Sequence, residues 1–289
     1  MYVVTGATGN TGSVVAESLL DAGAAVRIVV RDPAHRRAKE LAARGAEVAV
    51  ATFEDGPALE RALRGADGVY LLSHPDVRAT SFLAERRRLL DGVARAVEDA
   101  AVPHVVFLSS VGAQHETGTG PIRSLHAGEA ALARTGAATT FVRAAYFVEN
   151  WGAVASVAKS DGVLPTFLAH AKAIPMVAAR DIGVVAARAL REGPRGRRVL
   201  ELDGPALVSP DDVASAFGRA LGRTVTAQDA PLDAVVPTFT SLGISADVAA
   251  LYREMYEGIA SGKVDYEGRG AERVHGTTAI DASVRALVG

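Results

Sequence analysis

The sequence predicts an α/β fold in which helices cover both faces of a doubly wound parallel sheet. Short apolar runs bounded by Gly, Pro and Asp alternate with amphipathic helical stretches along the first half of the chain. This alternation is typical of repeated βαβ units. The strand candidates are unbroken apolar runs, such as Val-Val-Phe-Leu at 105–108, and such runs indicate strands that are buried on both faces. A chain of 289 residues, 49% of them hydrophobic, can bury a sizeable core.

The elements of the first half follow from this pattern and from the residues that end each run. The predicted strands are Tyr2–Thr5, Ala25–Val30, Ala46–Val50, Gly68–Leu72, Val105–Ser109 and Thr139–Val142. The predicted helices between them are Gly12–Ala22, Pro33–Arg44, Pro57–Arg64, Ala79–Ala100 and Ser124–Thr135. Pro33 suits a first helical position, where a missing N–H group costs no hydrogen bond.

The pattern changes after Ala144. The elements predicted there are a helix at Val148–Ala158, a loop-rich stretch at Asp161–Pro175, a helix at Asp181–Arg191 and a strand at Arg198–Leu202. Ser209 is predicted to cap a further helix, and the rest of the chain, 231–289, is mainly helical in pattern. We therefore expect a sheet domain over residues 1–150. Residues 151–289 would complete the sheet and form a smaller, mainly helical lobe, with substrate between the two at the C-terminal ends of the strands.

Composition excludes several classes of function. The formal net charge of −2 gives no electrostatic reason to expect nucleic acid or an acidic membrane as a partner. The chain has no cysteine, which excludes thiol nucleophiles and cysteine-ligated metals, and we predict no metal site. No segment is long and apolar enough to span a bilayer, and Met1 leads directly into a strand, so we expect a cytoplasmic protein. The sequence does not indicate an oligomeric state.

The strongest motif is a glycine-rich turn at the first strand–helix junction, Val-Thr-Gly-Ala-Thr-Gly-Asn-Thr-Gly at 4–12. Gly6 would permit a tight turn, Gly9 would let the backbone approach a diphosphate, and Gly12 would let helix and strand pack closely. The helix N-terminus would then present N–H groups to the anion. Its position at the first of several βα units predicts a Rossmann-type dinucleotide site rather than an ordinary turn.

The end of the second strand should meet the adenosine ribose of that dinucleotide. An acid there would bind the ribose hydroxyls of NAD, whereas an arginine would pair with the 2′-phosphate of NADP. Arg31 comes first and Arg36 would reinforce it, which favours NADP(H); Asp32 keeps NAD(H) possible. We interpret Arg37 as a solvated helix charge.

With these motifs placed, the chain resembles the NmrA-like family of atypical short-chain dehydrogenases/reductases, which includes NAD(P)H-dependent quinone oxidoreductases and redox-sensing regulators. The most specific match is Phe-Val-Arg-Ala-Ala-Tyr-Phe-Val-Glu-Asn at 141–150. The other matching segments are 4–12, Val-Arg-Asp-Pro at 30–33, 65–72, 102–110, 126–129 and 273–278.

The resemblance implies roles for individual residues. The residues implied to line the diphosphate are Thr5, Gly6, Thr8, Gly9, Asn10 and Thr11. Phe53 would flank the adenine, although Thr52 stands where the family usually has an aspartate. The residues implied to lie near the nicotinamide or the substrate are Leu72, Ser73, Ser109, Ser110, Tyr146, Phe147 and Asn150.

The usual catalytic pair of short-chain dehydrogenases, a tyrosine with a lysine four residues on, is missing. Tyr146, for example, is followed by Asn150. The family often has a histidine and a glutamate in the corresponding helix, and here His126 and Glu129 lie on one helix face. An imidazole could supply or relay a proton, with Glu129 orienting it and Tyr146 as a further candidate acid. The alternative is that His126 only packs against the cofactor or caps a helix.

Two functions follow. The first is an NADP(H)-dependent oxidoreductase that transfers hydride to a small apolar or quinoid substrate. The second is a non-catalytic NADP(H)-binding redox sensor that acts through a protein partner, which the missing Tyr/Lys pair would explain. No partner-docking motif is visible, and we favour the enzyme. Neither the substrate nor its stereochemistry can be read from the residues.

Overall fold

The computed structural model describes every residue from Met1 to Gly289. Its strands are β1 (Tyr2–Thr5), β2 (Val26–Val30), β3 (Glu47–Val50), β4 (Gly68–Leu72), β5 (His104–Ser110), β6 (Ala138–Ala144), β7 (Tyr146–Phe147), β8 (Val163–Thr166), β9 (Ile174–Val177), β10 (Arg197–Asp203), β11 (Leu207–Val208), β12 (Thr226–Asp229) and β13 (Glu272–His275). Its α-helices are α1 (Asn10–Asp21), α2 (Arg36–Ala43), α3 (Gly56–Leu63), α4 (Phe82–Asp99), α5 (Arg123–Leu132), α6 (Ala155–Asp161), α7 (Ala179–Glu192), α8 (Pro210–Leu221), α9 (Val235–Ser241), α10 (Ala246–Ser261) and α11 (Ile280–Val288). Short 3₁₀ segments lie at Gly120–Ile122, Val148–Val154 and Leu232–Ala234.

The main sheet contains eight strands in the order β3-β2-β1-β4-β5-β6-β10-β13. Every neighbouring pair is parallel, and the predicted doubly wound fold is confirmed. The winding direction reverses between β1 and β4, so a crevice opens at the C-terminal ends of these two strands, where ligands of such sheets bind. All six strands predicted in the first half are present, with ends shifted by no more than two residues.

Two apolar layers cover the sheet. One face packs against α1 and α7 through Val15, Leu19 and Ile182. The opposite face packs against α4 and α5 through Val93 and Leu132. A third apolar cluster lies in the C-terminal half, where α8 packs against β8 and α11. No helix combines the length and the apolar character that crossing a bilayer would require.

The second half differs from expectation in three places, although residues 231–289 are mainly helical as predicted. The stretch predicted as a loop, Asp161–Pro175, contains β8, which pairs with β12, and the start of β9, which pairs with β7 and β11. The mainly helical C-terminal segment contains β13, which joins β10 at the edge of the main sheet. These strands have two or four residues each, too few for a hydrophobic period to show. The predicted helix Val148–Ala158 begins as a 3₁₀ segment, and its α-helical part starts at Ala155.

Local hydrogen bonds set two helix starts. Pro33 was expected at the first helical position, but α2 begins at Arg36, because the Asp32 carboxylate accepts from the Ala34 N–H group at 2.8 Å and forms a turn first. The predicted Ser209 cap of α8 is confirmed. Its hydroxyl accepts from the Asp212 N–H group at 3.1 Å, and the Asp212 carboxylate accepts from the Ser209 N–H group at 2.8 Å.

A buried histidine makes the fold sensitive to acid. His104 begins β5 with none of its surface exposed, and its Nε2 lies 3.1 Å from the Thr140 hydroxyl. Its Nδ1 atom is buried without a hydrogen-bond partner. Burial, together with the positive charge of Arg198, lowers the pKa of His104 to about 4 from the usual 6.5.

We predict that His104 lowers the free energy of unfolding as the pH falls from 6.5 towards about 4. Below pH 6.5 His104 binds a proton in the unfolded chain, whereas in the folded chain it stays neutral down to about pH 4. Between about pH 7 and about pH 5 the free energy of unfolding should therefore fall by about 2 kcal/mol on this account. His104→Asn should remove that part of the loss, as measured by urea unfolding at both pH values. Equal losses in the variant and the wild type would contradict the assignment.

Candidate functional site

The glycine loop lies at the crevice between β1 and β4. Gly6 has a φ of +60°, and a Cβ atom built on it would lie 2.6 Å from Cδ2 of Leu72 at the end of β4. A Cβ atom on Gly12 would lie 2.3 Å from the carbonyl oxygen of Gly6 and 2.8 Å from that of Thr5. Real Cβ atoms do not approach backbone oxygens this closely, so α1 can pack against the end of β1 only with glycine at position 12. The predicted steric roles of Gly6 and Gly12 are thus visible in the structure.

The N-terminus of α1 is open towards this crevice. Gly9 is the N-cap residue, and no side chain caps the N–H groups of the first turn. The Gly9 N–H group itself donates to the Gly6 carbonyl at 2.9 Å, which closes the turn. Uncapped N–H groups at the positive end of a helix dipole form a site for an anion such as a diphosphate.

Two of the loop threonines hold the loop against β4 through hydrogen bonds with Tyr70. The Thr5 hydroxyl donates to the Tyr70 carbonyl at 2.9 Å, and the Tyr70 hydroxyl donates to Thr11 Oγ1 at 2.9 Å. Burial raises the pKa of Tyr70, which keeps this phenol a donor. Thr8 is half-buried and Asn10 exposed, so these two have the accessible side chains of the loop.

The arginines after β2 do not all make the contacts that the sequence predicted. Arg31 is exposed, and its charge reaches the crevice, where it helps to lower the pKa of His74. Arg36 was expected to reinforce it, but its guanidinium pairs with Glu40 one turn along α2. Arg37, interpreted from the sequence as a solvated charge, instead donates to the loop: its Nη1 lies 3.2 Å from the Gly9 carbonyl oxygen.

The residues after β4 border the same crevice, and Phe53 follows β3. His74 brings its Nε2 to 3.9 Å from the position a Gly9 Cβ atom would take. Desolvation first, then the charges of Arg31 and Arg86, lower the pKa of His74. Leu72 is buried beneath Gly6, and Ser73 next to it is half-buried. Phe53 is half-buried against the apolar layer of α3 and α4.

His126 and Glu129 lie on α5 but do not bind each other. The Nδ1 atom of His126 lies 2.9 Å from the carbonyl oxygen of Ala113. The Glu129 carboxylate is buried and accepts from Arg143 at 2.9 and 2.7 Å, and from the Ser109 hydroxyl at 2.6 Å. The expectation that Glu129 orients His126 is therefore wrong, because a buried guanidinium on β6 takes both oxygens of the carboxylate.

Sequence reasoning missed this buried ion pair, although a signal was present. Arg143 interrupts the apolar run of β6 and is 2% exposed, and an arginine in a doubly covered strand must be paired. Its Nη1 also donates to the Glu267 carboxylate at 2.6 Å. His126 lines a cavity of about 160 Å³ beside this network, together with Gln114 and Glu267.

A chain of aromatic rings follows β6 at the same edge of the sheet. The ring of Tyr146 lies 6.1 Å from that of Trp151, and its phenol lies beside Tyr256 and the exposed Asn150. The ring of Phe167 lies 5.5 Å from that of Tyr256. Phe239 and Tyr252 continue the contact at a centroid distance of 5.1 Å. Segments far apart in the chain thus form one aromatic wall, defined as Tyr146, Trp151, Phe167, Phe239, Tyr252 and Tyr256.

Comparison with known proteins gives a consistent result. A family model described as the NmrA-like family matches residues 2–283. An NAD(P)H azoreductase from Xenophilus azovorans is 28% identical over 256 residues, which cover 89% of this chain and 86% of the relative. A (4-alkanoyl-5-oxo-2,5-dihydrofuran-3-yl)methyl phosphate reductase from Streptomyces griseus is 32% identical over 235 residues, which cover 81% of this chain and 78% of the relative.

The structural comparison extends over the whole fold. The NADPH-dependent quinone oxidoreductase of Escherichia coli, solved in complex with NADPH, superposes with a TM-score of 0.81. It is 27% identical in sequence, and the match covers 100% of both chains. The fold described above is therefore that of a known reductase.

The contact at Gly12 predicts the cost of adding one methyl group. Gly12→Ala should lower the free energy of unfolding by at least about 1–3 kcal/mol, because the new Cβ atom would overlap backbone that cannot rotate away. Gly92→Ala is the matched control, since a Cβ atom there meets nothing within 4 Å. In the middle of α4 it should stabilise the fold by up to about 1 kcal/mol. Urea unfolding of both variants tests this, and similar stabilities would contradict the steric argument.

Proposed function

The chain belongs to the NmrA-like family, and from that premise we propose that it is an NADPH-dependent oxidoreductase acting on a small quinoid acceptor. The observation that carries the proposal is the glycine loop, with an uncapped α1 N-terminus at the reversal point of the sheet and Arg31 beside it. The relatives support it, because two of them are named as NAD(P)H- or NADPH-dependent reductases.

The residues present fit a dinucleotide. The backbone of Gly9 and Asn10 would hold the diphosphate, and Arg31 would pair with the 2′-phosphate. Phe53 would flank the adenine, while Leu72 and Ser73 would lie beneath the nicotinamide ribose. When bound, the reduced nicotinamide supplies the hydride, and the protein contributes binding, orientation and a proton.

The aromatic wall would bind the acceptor. Tyr146 directly follows β6 at the C-terminal edge of the sheet, and Phe167 and Tyr256 extend the surface into the C-terminal lobe. Flat, weakly polar ring surfaces suit a planar acceptor through offset or edge-to-face contacts. The wall thus favours a quinoid ring over an aliphatic ketone.

Reduction of a quinone to a hydroquinone also consumes a proton, and His126 would deliver it. A carbonyl oxygen can only accept, so Nδ1 of His126 donates to Ala113. The neutral ring therefore has its free lone pair on Nε2, and only the imidazolium form can donate a proton from that atom.

Tyr146 is the second candidate acid. Burial raises its pKa to about 12, so its phenol keeps its proton throughout neutral and mildly alkaline solution. It can donate a hydrogen bond to an acceptor oxygen, but it cannot serve as a base at these pH values. No lysine four residues on lowers its pKa, since Asn150 stands there.

The direct test is oxidation of NADPH by the purified protein with a small para-quinone and, separately, an azo dye. We expect turnover with the quinone and faster reaction with NADPH than with NADH. A protein that binds NADPH tightly but reduces neither acceptor would overturn the enzyme and favour the redox-sensor alternative.

We predict that His126→Gln lowers quinone turnover. A general acid typically contributes about 10²–10⁴-fold, and a delocalised hydroquinone oxyanion should place the effect at the lower end. Tyr146→Phe is the comparison variant, and a thermal shift with NADPH shows that both proteins fold and bind. Unchanged turnover in His126→Gln would assign the acid to Tyr146 or to water.

We predict that Arg31→Asp weakens NADPH binding at least tenfold while NADH binding is retained or improved. A charge-assisted arginine–phosphate contact contributes about 1.5–3 kcal/mol, and the new carboxylate would repel the 2′-phosphate. Fluorescence titration of both nucleotides measures this. Equal affinities of the wild type for NADPH and NADH would contradict a 2′-phosphate site.

A further inference from the structure

Arg37 connects α2 to the glycine loop. Its Nη1 lies 3.3 Å from the Thr8 carbonyl oxygen, 3.2 Å from that of Gly9 and 3.3 Å from the Ser13 hydroxyl. These three acceptors belong to the turn and first helical turn that would face a diphosphate. One guanidinium thus fixes the position of the loop relative to the segment that follows β2.

The rest of this guanidinium is not used by the protein. Its Nε and Nη2 groups donate to no protein acceptor, and no carboxylate forms an ion pair with Arg37. Arg36, the preceding residue, differs because Glu40 neutralises it. Arg37 is also half-buried, so its charge is less screened than that of an exposed side chain. An unpaired planar donor set in this position suits an anion with several oxygens.

The place of Arg37 in the fold identifies that anion. In this architecture the adenosine ribose lies between the phosphate loop and the end of the second strand, and Arg37 joins that loop to α2, the helix that follows the second strand. Asp32 is the one acid in that segment, but its carboxylate accepts from the Ala34 N–H group at 2.8 Å. One oxygen of the carboxylate that could bind an unmodified ribose is therefore engaged in the turn that leads into α2.

We propose that Arg37, rather than Arg36, is the second guanidinium that selects a 2′-phosphorylated adenosine ribose, and that it joins this phosphate to the loop. Nη1 holds the loop carbonyls while Nε and Nη2 take phosphate oxygens. The phosphate of NADPH would then lie between Arg31 and Arg37. This inference rests on the proposed NADPH-dependent function.

The test separates the ribose site from the rest of the cofactor. Dissociation constants are measured by calorimetry for adenosine 2′,5′-bisphosphate and AMP, and by fluorescence for NADPH and NADH. The variants are Arg37→Gln, Arg37→Lys and Arg36→Gln. Arg44→Gln is the charge-matched control, since it removes one positive charge at the far end of α2. Thermal unfolding without ligand reports on the integrity of each variant.

We expect Arg37→Gln to weaken the binding of adenosine 2′,5′-bisphosphate and NADPH tenfold or more. The binding of AMP and NADH should weaken by a much smaller factor. Arg37→Lys should recover part of the lost affinity, because lysine restores the positive charge but not the planar donor set of the guanidinium. Arg36→Gln and Arg44→Gln should each change affinity less than twofold.

Three results would overturn the inference. If Arg37→Gln lost equal affinity for ligands with and without the 2′-phosphate, Arg37 would only hold the loop in place. If the variant kept the wild-type preference for the 2′-phosphate, Arg37 would not belong to the phosphate site. A larger effect of Arg36→Gln would assign the phosphate to that residue. Failure of the wild type to bind NADPH at all would instead refute the proposed function.

Discussion

The contact between Gly12 and the carbonyl oxygen of Gly6 is the constraint on which the site depends. Because no Cβ atom separates them, α1 begins directly against the end of β1 and its first N–H groups meet the crevice. Leu72 fills the space beneath Gly6, and the Tyr70 hydroxyl holds Thr11 from the same side. The loop is therefore supported from β4 before any ligand binds. A preformed anion site loses little conformational entropy on binding, which favours affinity.

A second constraint holds the helix that bears His126. Arg143 on β6 and the Glu129 carboxylate are both buried, and the Ser109 hydroxyl donates to that carboxylate. The exposed Glu267 carboxylate also pairs with Arg143. Removing Arg143 or Glu129 would leave the other charge buried without its partner, which is far more costly than losing an exposed pair. The network therefore fixes α5 against β5 and β6. Glu129 and Ser109 thus help to position the helix that carries the imidazole.

The extent to which the sequence predicts this molecule depends on whether a signal is local. The strands of the sheet core and the glycine loop can be predicted from short contiguous segments, because an apolar run or a glycine spacing is visible within a single segment. β13 could not be found in this way, because its four residues become a strand only by pairing with β10. Arg37 looks like any helix charge until the loop carbonyls are placed beside it. The aromatic wall joins Tyr146 to Tyr256 across more than a hundred residues, and no local period marks it.

The same distinction separates the two halves of the site. The proposed cofactor half depends on backbone geometry in one short segment, where a Cβ atom on Gly6 would meet Leu72 and one on Gly12 would meet backbone oxygens. The proposed acceptor half consists of side chains on β7, α9 and α10 and on the loop after β8, and ring contacts there tolerate exchange of one apolar side chain for another. We therefore expect that selectivity for the acceptor can change without disturbing the loop. The named relatives fit this division: their names share the reductase function, while the acceptors named are azo compounds, a dihydrofuranyl phosphate and quinones. We therefore expect the chemistry that distinguishes this chain from them to reside in the aromatic wall.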